Sequence, residues 1–400
     1  MKKQALLVTL GLYLVSSVVS FMAFSALGGN ATSVQNLVGS SSDETETTGP
    51  TKLGMLLDIN PTIPKNQPCP LNGKMFTQAE KESWEKRRPL AVMIENAPDA
   101  RPQSGISDAD VVFEAVAEGG VTRFMGIFYC GVQAYDTTLA PIRSARSYFV
   151  DWASGFNRPL YVHVGGANLP GPADALGQIN QYGWALENDL NQFSIGYPTF
   201  VRNANRVSRE VATEHTMETT TEKLWAVGEK REWTNLSPVL KVGRTTVPAE
   251  DWKDGYTPWT FEDDQTTDGA VAVINYSFWT GYNQYAVRWE YNAETNAYKR
   301  FLADQPHTDL NDSVQVEAKN VIVLLSPEKG PIDEAKHMLY KTTGTGDAVL
   351  FKNGEATKIT WSKKTRESEI SFLDTKGKAV TLARGETWIS VLDPSFDFEY

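Results

Sequence analysis

Arginines and carboxylates crowd into a few short stretches of this chain. Arg101 opens Arg101-Pro102-Gln103-Ser104-Gly105, Glu114 and Glu118 lead across Gly119-Gly120 to Arg123, and Arg143 and Arg146 stand three apart after Pro141. A guanidinium is a planar fork of donors matched to phosphate or carboxylate, so Arg143 and Arg146 on one side of a helix's first turns can grip an anion. The segment from Ala109 to Glu118 reads as a short helix or a strand; if it is a helix, Glu114 and Glu118 share one face. Two carboxylates at a suitable separation are the acid and base of glycoside cleavage. The same groups can instead pair internally, the arginines against Glu114, Glu118 and Asp151, and hold loops onto a sheet. Three readings follow: an anion-binding or scaffold protein, a glycan-acting hydrolase or transferase using Glu114 and Glu118, and a docking factor with no small-molecule site.

The 4 histidines can be weighed singly. His163 ends an apolar run just before Gly165-Gly166, at a strand end of the kind where ligands bind in α/β sheets. His215 follows the cationic stretch Arg202, Arg206, Arg209. The expected anion pocket is thus Arg101, Arg123, Arg143, Arg146, His163 and His215. His307 precedes Asp309 in a His-x-Asp pair too sparse for a metal, and Asp309 reads as a turn residue. His337, among Glu334, Lys336 and Tyr340, reads as solvated and without a role. There is no Gly-x-Ser-x-Gly elbow, no Walker phosphate loop, no His-Glu-x-x-His and no dinucleotide fingerprint. Neither a cofactor nor a metal is expected, and Gly344-Thr345-Gly346 reads as a turn.

Strands must carry these groups. Pro89–Ile94, Val111–Val116 and Leu160–Val164 suit strands, with helices at Ser144–Ala153 and Ala173–Ile179, so the first half reads as an α/β or α+β domain. Thr77 to Arg87 reads as a short helix with a Thr77/Glu80 capping box. From Gly269 onward short strands follow one another between turn residues: 270–276, 285–291, 297–301, 321–325, 348–351, 356–361 and 387–391. Asn353-Gly354 marks a hairpin, because both residues accept positive φ. The second half is expected to be a mostly antiparallel β domain, with Trp289 and Trp361 in its core.

Lys2 and Lys3 precede an uncharged run from Gln4 to Gly29, long enough to span a bilayer at roughly 20 residues. The positive flank places the remainder outside. Small residues near its end, Ala23 to Gly28, keep a cleaved signal peptide as the alternative. The organisation expected is a transmembrane anchor at 1–29, a Ser/Thr/Gly-rich linker at 30–68, and domains at 69–240 and 241–400. Removing Lys2 and Lys3 from the net charge of −11 leaves −13 on the exported part, which argues against nucleic acid as a partner. The partners expected are an anionic envelope component or envelope proteins, and the membrane through the anchor. Cys69 and Cys130 can form one bridge in an oxidising compartment.

Arg101–Ile106, Ala109–Ala115, Ala117–Phe124, Ile142–Arg146 and Val162–Gly166 together resemble, in nearly unbroken order, the YerB family of bacterial cell-envelope proteins. Gln305–Asp309, Ala318–Val323, Gly344–Gly346 and Gly385–Trp388 resemble the family's C-terminal domain, so the likeness spans about residues 87 to 395. It implies an extracytoplasmic envelope protein and carries a histidine onto His215, without implying a reaction. The family's lipoproteins have a cysteine directly after the leader. This chain has none there, so lipid attachment at the leader is not expected.

Overall fold

The computed structural model describes residues 54–265 and 270–400. The anchor expected at 1–29, and the linker as far as residue 53, lie outside the described residues. Among the described residues no helix is long and apolar enough to cross a membrane.

The strands that build the central sheet and its partner run in chain order through both halves. The first half supplies β1 (Leu90–Glu95), β2 (Val111–Glu118), β3 (Val121–Phe128), β4 (Leu160–His163) and β5 (Asp189–Asn191). The second supplies β6 (Val273–Tyr276), β7 (Val287–Asn292), β8 (Ala297–Leu302), β9 (Asn320–Leu325), β10 (Gly344–Lys352), β11 (Glu355–Lys363), β12 (Ser371–Leu373) and β13 (Thr387–Leu392). The longer helices are α1 (Gln78–Trp84), α2 (Ser147–Ser154), α3 (Ala175–Gln181) and α4 (Thr221–Lys230). Thr77 caps α1 through the capping box with Glu80.

Ten strands form one sheet in the order β12-β11-β10-β9-β13-β2-β3-β1-β4-β5. Strands from either side of residue 240 therefore share a sheet, joined where β13 lies beside β2, Trp388 opposite Val112. The expected antiparallel pattern holds for the hairpin β10–β11, whose turn residues Asn353 and Gly354 have φ of 54° and 73°. It does not hold for β13, which runs parallel to both neighbours. Six buried positions in a row let β13 and β1 lie at the covered centre, as parallel central strands require. Gly344–Asp347, expected as a turn, is the start of β10, and the missing side chain at Gly346 makes room for the Trp361 indole.

Both faces are covered. On one, α2 lies over β2: Phe113 stacks on Trp152, and the Tyr148 hydroxyl donates to Val116 O at 2.6 Å. The other is covered by the six-stranded sheet containing β6, β7 and β8. Trp289 packs edge-on against Trp388, and Tyr276 bonds Ser390 at 2.6 Å. Trp289 and Trp361 are buried, in the core as expected.

Cys69 and Cys130 are bonded across 61 residues. Closing a loop of that length is worth about 4 kcal/mol on the chain-entropy account. Beside the bridge the buried Asp110 carboxylate accepts from the backbone N–H groups of Tyr129 and Cys130 at 2.7 and 2.9 Å, and from Asn72 Nδ2 at 2.6 Å. Further up the chain, Leu56 N–H donates to Ala134 O and Asp136 N–H to Gly54 O, so this end of the expected linker is fastened to the body.

Candidate functional site

The hairpin β2–β3 decides which carboxylate faces which arginine. Gly119 and Gly120 have φ of 54° and 84°, the pair of positive values a tight two-residue turn requires. Opposite residues in a sheet share a face, so Glu114 with Phe124 lies on one side and Ala115 with Arg123 on the other. Alternation alone would return Glu118 to the side of Glu114. A bulge between Val116 and Glu118 sets Glu118 opposite Val121 instead, on the side of Arg123. The helix alternative, with both carboxylates on one face, is therefore replaced by a strand with Glu114 and Glu118 on opposite faces. They cannot flank one glycosidic bond.

On the α2 face, Glu118 is shared by two guanidiniums: Arg123 Nη2 at 2.6 Å, and Arg146 Nη2 and Nε at 2.6 and 3.1 Å. Burial would raise its pKa, but Arg123 and Arg146 outweigh that and hold it at about 2. Glu95 lies opposite Arg123 on β1 and takes Arg143 Nε at 3.1 Å and His215 Nδ1 at 2.8 Å. Backbone bonds fix the arginine loop: Arg143 N–H donates to Met93 O, Val164 N–H to Arg143 O, and Ala145 N–H to Gly165 O. Arg123 Nη1 ties it further by donating to Ser144 O at 3.0 Å. Arg123, Arg143, Arg146 and His215 thus come together, three guanidiniums around two carboxylates.

His163 is buried at the end of β4, with Nδ1 2.6 Å from Gly165 O and Nε2 2.6 Å from Asp189 Oδ1. It braces the glycine loop beside the cluster from within the protein. Arg101 lies elsewhere, donating to Asn96 O and Asn96 Oδ1 and stacking over Tyr285; burial lowers its pKa to about 10. The carbonyls around it are in turn held by Arg206 and Arg209, which donate to the backbone between Pro98 and Pro102.

On the opposite face Glu114 meets a partner the sequence did not single out, Arg300. Glu114, fully buried, meets the equally buried Arg300 at 2.7 Å and accepts from Thr122 at 3.0 Å. Arg300 Nη1 donates to His307 Nδ1 at 2.6 Å, since a guanidinium has no lone pair to offer. His307 must then carry its proton on Nε2, which donates to Gln103 Oε1 at 2.9 Å. Burial first and then Arg300 hold His307 well below the ordinary histidine range, so it is neutral. Asp309 accepts from Asn311 N–H at 2.8 Å, as a turn residue does, and from Gly105 and Ser107 N–H, which fastens the two halves.

A cavity of about 390 Å³ opens beside the Glu118 cluster, lined by Ser144, Arg146, Gly166–Leu169, Glu334, Ala335 and His337. His337 was expected to be solvated. It is buried, paired at its backbone with Glu118, and its Nδ1 lies 2.7 Å from Asp333 Oδ2. Nothing in its local sequence signals this, because the segment around Gly330-Pro331 reaches the site from the second half of the chain.

The fold and site together define a class: a β-rich protein whose two sequence halves close one sheet around an arginine–glutamate cluster. Residues 76–234 match the family described as "Protein of unknown function (DUF3048) N-terminal domain" and residues 274–389 its "C-terminal domain". The chain belongs to this family. It is similar to the "Putative lipoprotein YerB" of Bacillus subtilis, 27% identical over 352 residues that cover 85% of this chain and 90% of the relative. A crystal structure of YerB from Bacillus subtilis shares the fold, with a TM-score of 0.65 at 24% identity, covering 84% of this chain and 100% of that one.

Proposed function

We propose that this is an extracytoplasmic, membrane-tethered envelope protein that binds an anionic group of an envelope component in the cavity beside Arg146. The observation that carries the reading is the cluster's charge: three guanidiniums share two carboxylates, and Arg146 forms part of the cavity wall. Burial, and then the neighbouring Arg123, push the Arg146 pKa down. The first turn of α2 begins at the next residue, adding unpaired backbone N–H groups that favour an anion. The lipoprotein relative, the apolar run at 4–29 and the disulfide support the compartment.

The ligand class fits a phosphate or carboxylate carried on a lipid, a polymer or peptidoglycan. The test measures thermal midpoints of the full chain with inorganic phosphate, polyprenyl phosphate analogues and glycan fragments, for the wild type, Arg143→Ala and Arg146→Ala. Stabilisation by anionic ligands that either variant loses is the expected result. No stabilisation by any ligand overturns the reading in favour of a protein-docking role, which internal pairing of every arginine in the cluster would equally serve.

A further inference from the structure

A second cavity, of about 330 Å³, opens where the two sequence halves meet, its walls including Lys74, Asp110, Glu317, Lys319, Arg384 and Glu386. Both signs of charge line it. Most of these groups are committed: Arg384 to Asp263 at 2.7 Å and Gly73 O at 2.8 Å, Lys319 to Asp264 at 2.6 Å and Thr295 O at 2.7 Å. Asp110 holds the disulfide region through the donors described above. Two groups are held by no ion pair among the described residues, although Lys74 Nζ lies 5.9 Å from the centre of the Phe76 ring. Among the described residues, Lys74 has no salt-bridge partner, and Glu386 Oε1 is shut from solvent without a hydrogen bond. A buried carboxylate oxygen left without a donor is costly, and a ligand that supplies one removes the cost.

We propose that this cavity binds a small zwitterion, with its ammonium on Glu386 and its carboxylate towards Lys74: the chemistry of a free amino acid or the ends of a short peptide. A metal ion suits the site poorly. Among the described residues the only metal-ligating atoms that gather within 4.8 Å are those of Asp110, Cys69 and Cys130, and the two sulfurs are joined in the disulfide. The volume lies at the low end of the ~300–1,000 Å³ typical of small-molecule sites, which fits one or two residues. The charges that act on Glu386 are those of Asp108 and Asp110 and, against them, of Lys74 and Arg300. Burial and the two aspartates hold Glu386 well above the ordinary carboxylate range. An arriving ammonium favours its ionised form and so draws protons off it.

The experiment is calorimetry on the full chain with alanyl-alanine, its N-acetylated form and its C-amidated form, in buffers of different ionisation enthalpy. The uncapped dipeptide should bind with release of protons, and either cap should weaken it about tenfold, or 1.4 kcal/mol. Glu386→Gln should lose both the affinity and the proton release. Lys74→Ala, at an exposed position, should weaken binding while leaving the thermal midpoint unchanged, and Arg146→Ala should leave dipeptide binding intact. Absence of dipeptide binding, or equal binding by the capped peptides or by Glu386→Gln, overturns the proposal without touching the Arg146 cavity.

Discussion

Glu114 and Arg300 are the side chains least able to lose a partner, because neither is reached by solvent. Glu114→Gln leaves an uncompensated guanidinium between Phe124, Trp289 and Trp388. The expected loss is about 3–5 kcal/mol in urea unfolding, and adding Arg300→Met should recover part of it, since removing both charges avoids the stranded one. Glu118 sets a pH dependence. Its folded pKa lies at about 2, below the ordinary 4.5, so its contribution is present above pH 4.5 and is lost as pH falls towards 2. Thermal midpoints of Glu118→Gln between pH 2 and 5 should therefore fall less steeply than those of the wild type. The sequence made Glu118, Arg123, Arg143 and Arg146 conspicuous because they stand close together in the chain. Glu95, the anion that gathers Arg143 and His215, stayed hidden: its partners lie 48 and 120 residues away, and no spacing rule reaches that far.

The elements were more legible than their faces. Alternation and turn residues located β1, β4, the β10–β11 hairpin and α2 to within a few residues, because each pattern is local. The bulge in β2 leaves no such trace, yet it moves Glu118 across the sheet. The Gly119-Gly120 turn then fixes Glu118 where Arg146 can reach it. A Cβ on Gly120 would come within 2.3 Å of the Tyr282 ring at a φ of 84°, whereas one on Gly119 would meet only the Lys336 chain at 3.4 Å. Gly120→Ala should cost roughly 1–3 kcal/mol and lower affinity at the Arg146 cavity. Gly119→Asn should be nearly neutral, because asparagine accepts that conformation. Chemical denaturation of the two variants in parallel tests both claims.

At the scale of the whole molecule, the family's two sequence domains are halves of one sheet. Removing residues after 240 takes away β13 and leaves residues 111–114 of β2 as an unpaired, apolar edge. The fragment 54–240 should therefore be recovered aggregated, while the intact chain unfolds in one calorimetric transition; a soluble, cooperatively folded fragment would show the halves to be independent. No local pattern signals this union, because the pairing of β13 with β2 joins segments that only the finished fold brings side by side. That pairing also imposes a timetable. The strand at the middle of the sheet, β13, comes after every other strand of that sheet in the chain. A nascent chain cut short of Thr387 cannot close the sheet, so the two halves stay unjoined until that strand has been made.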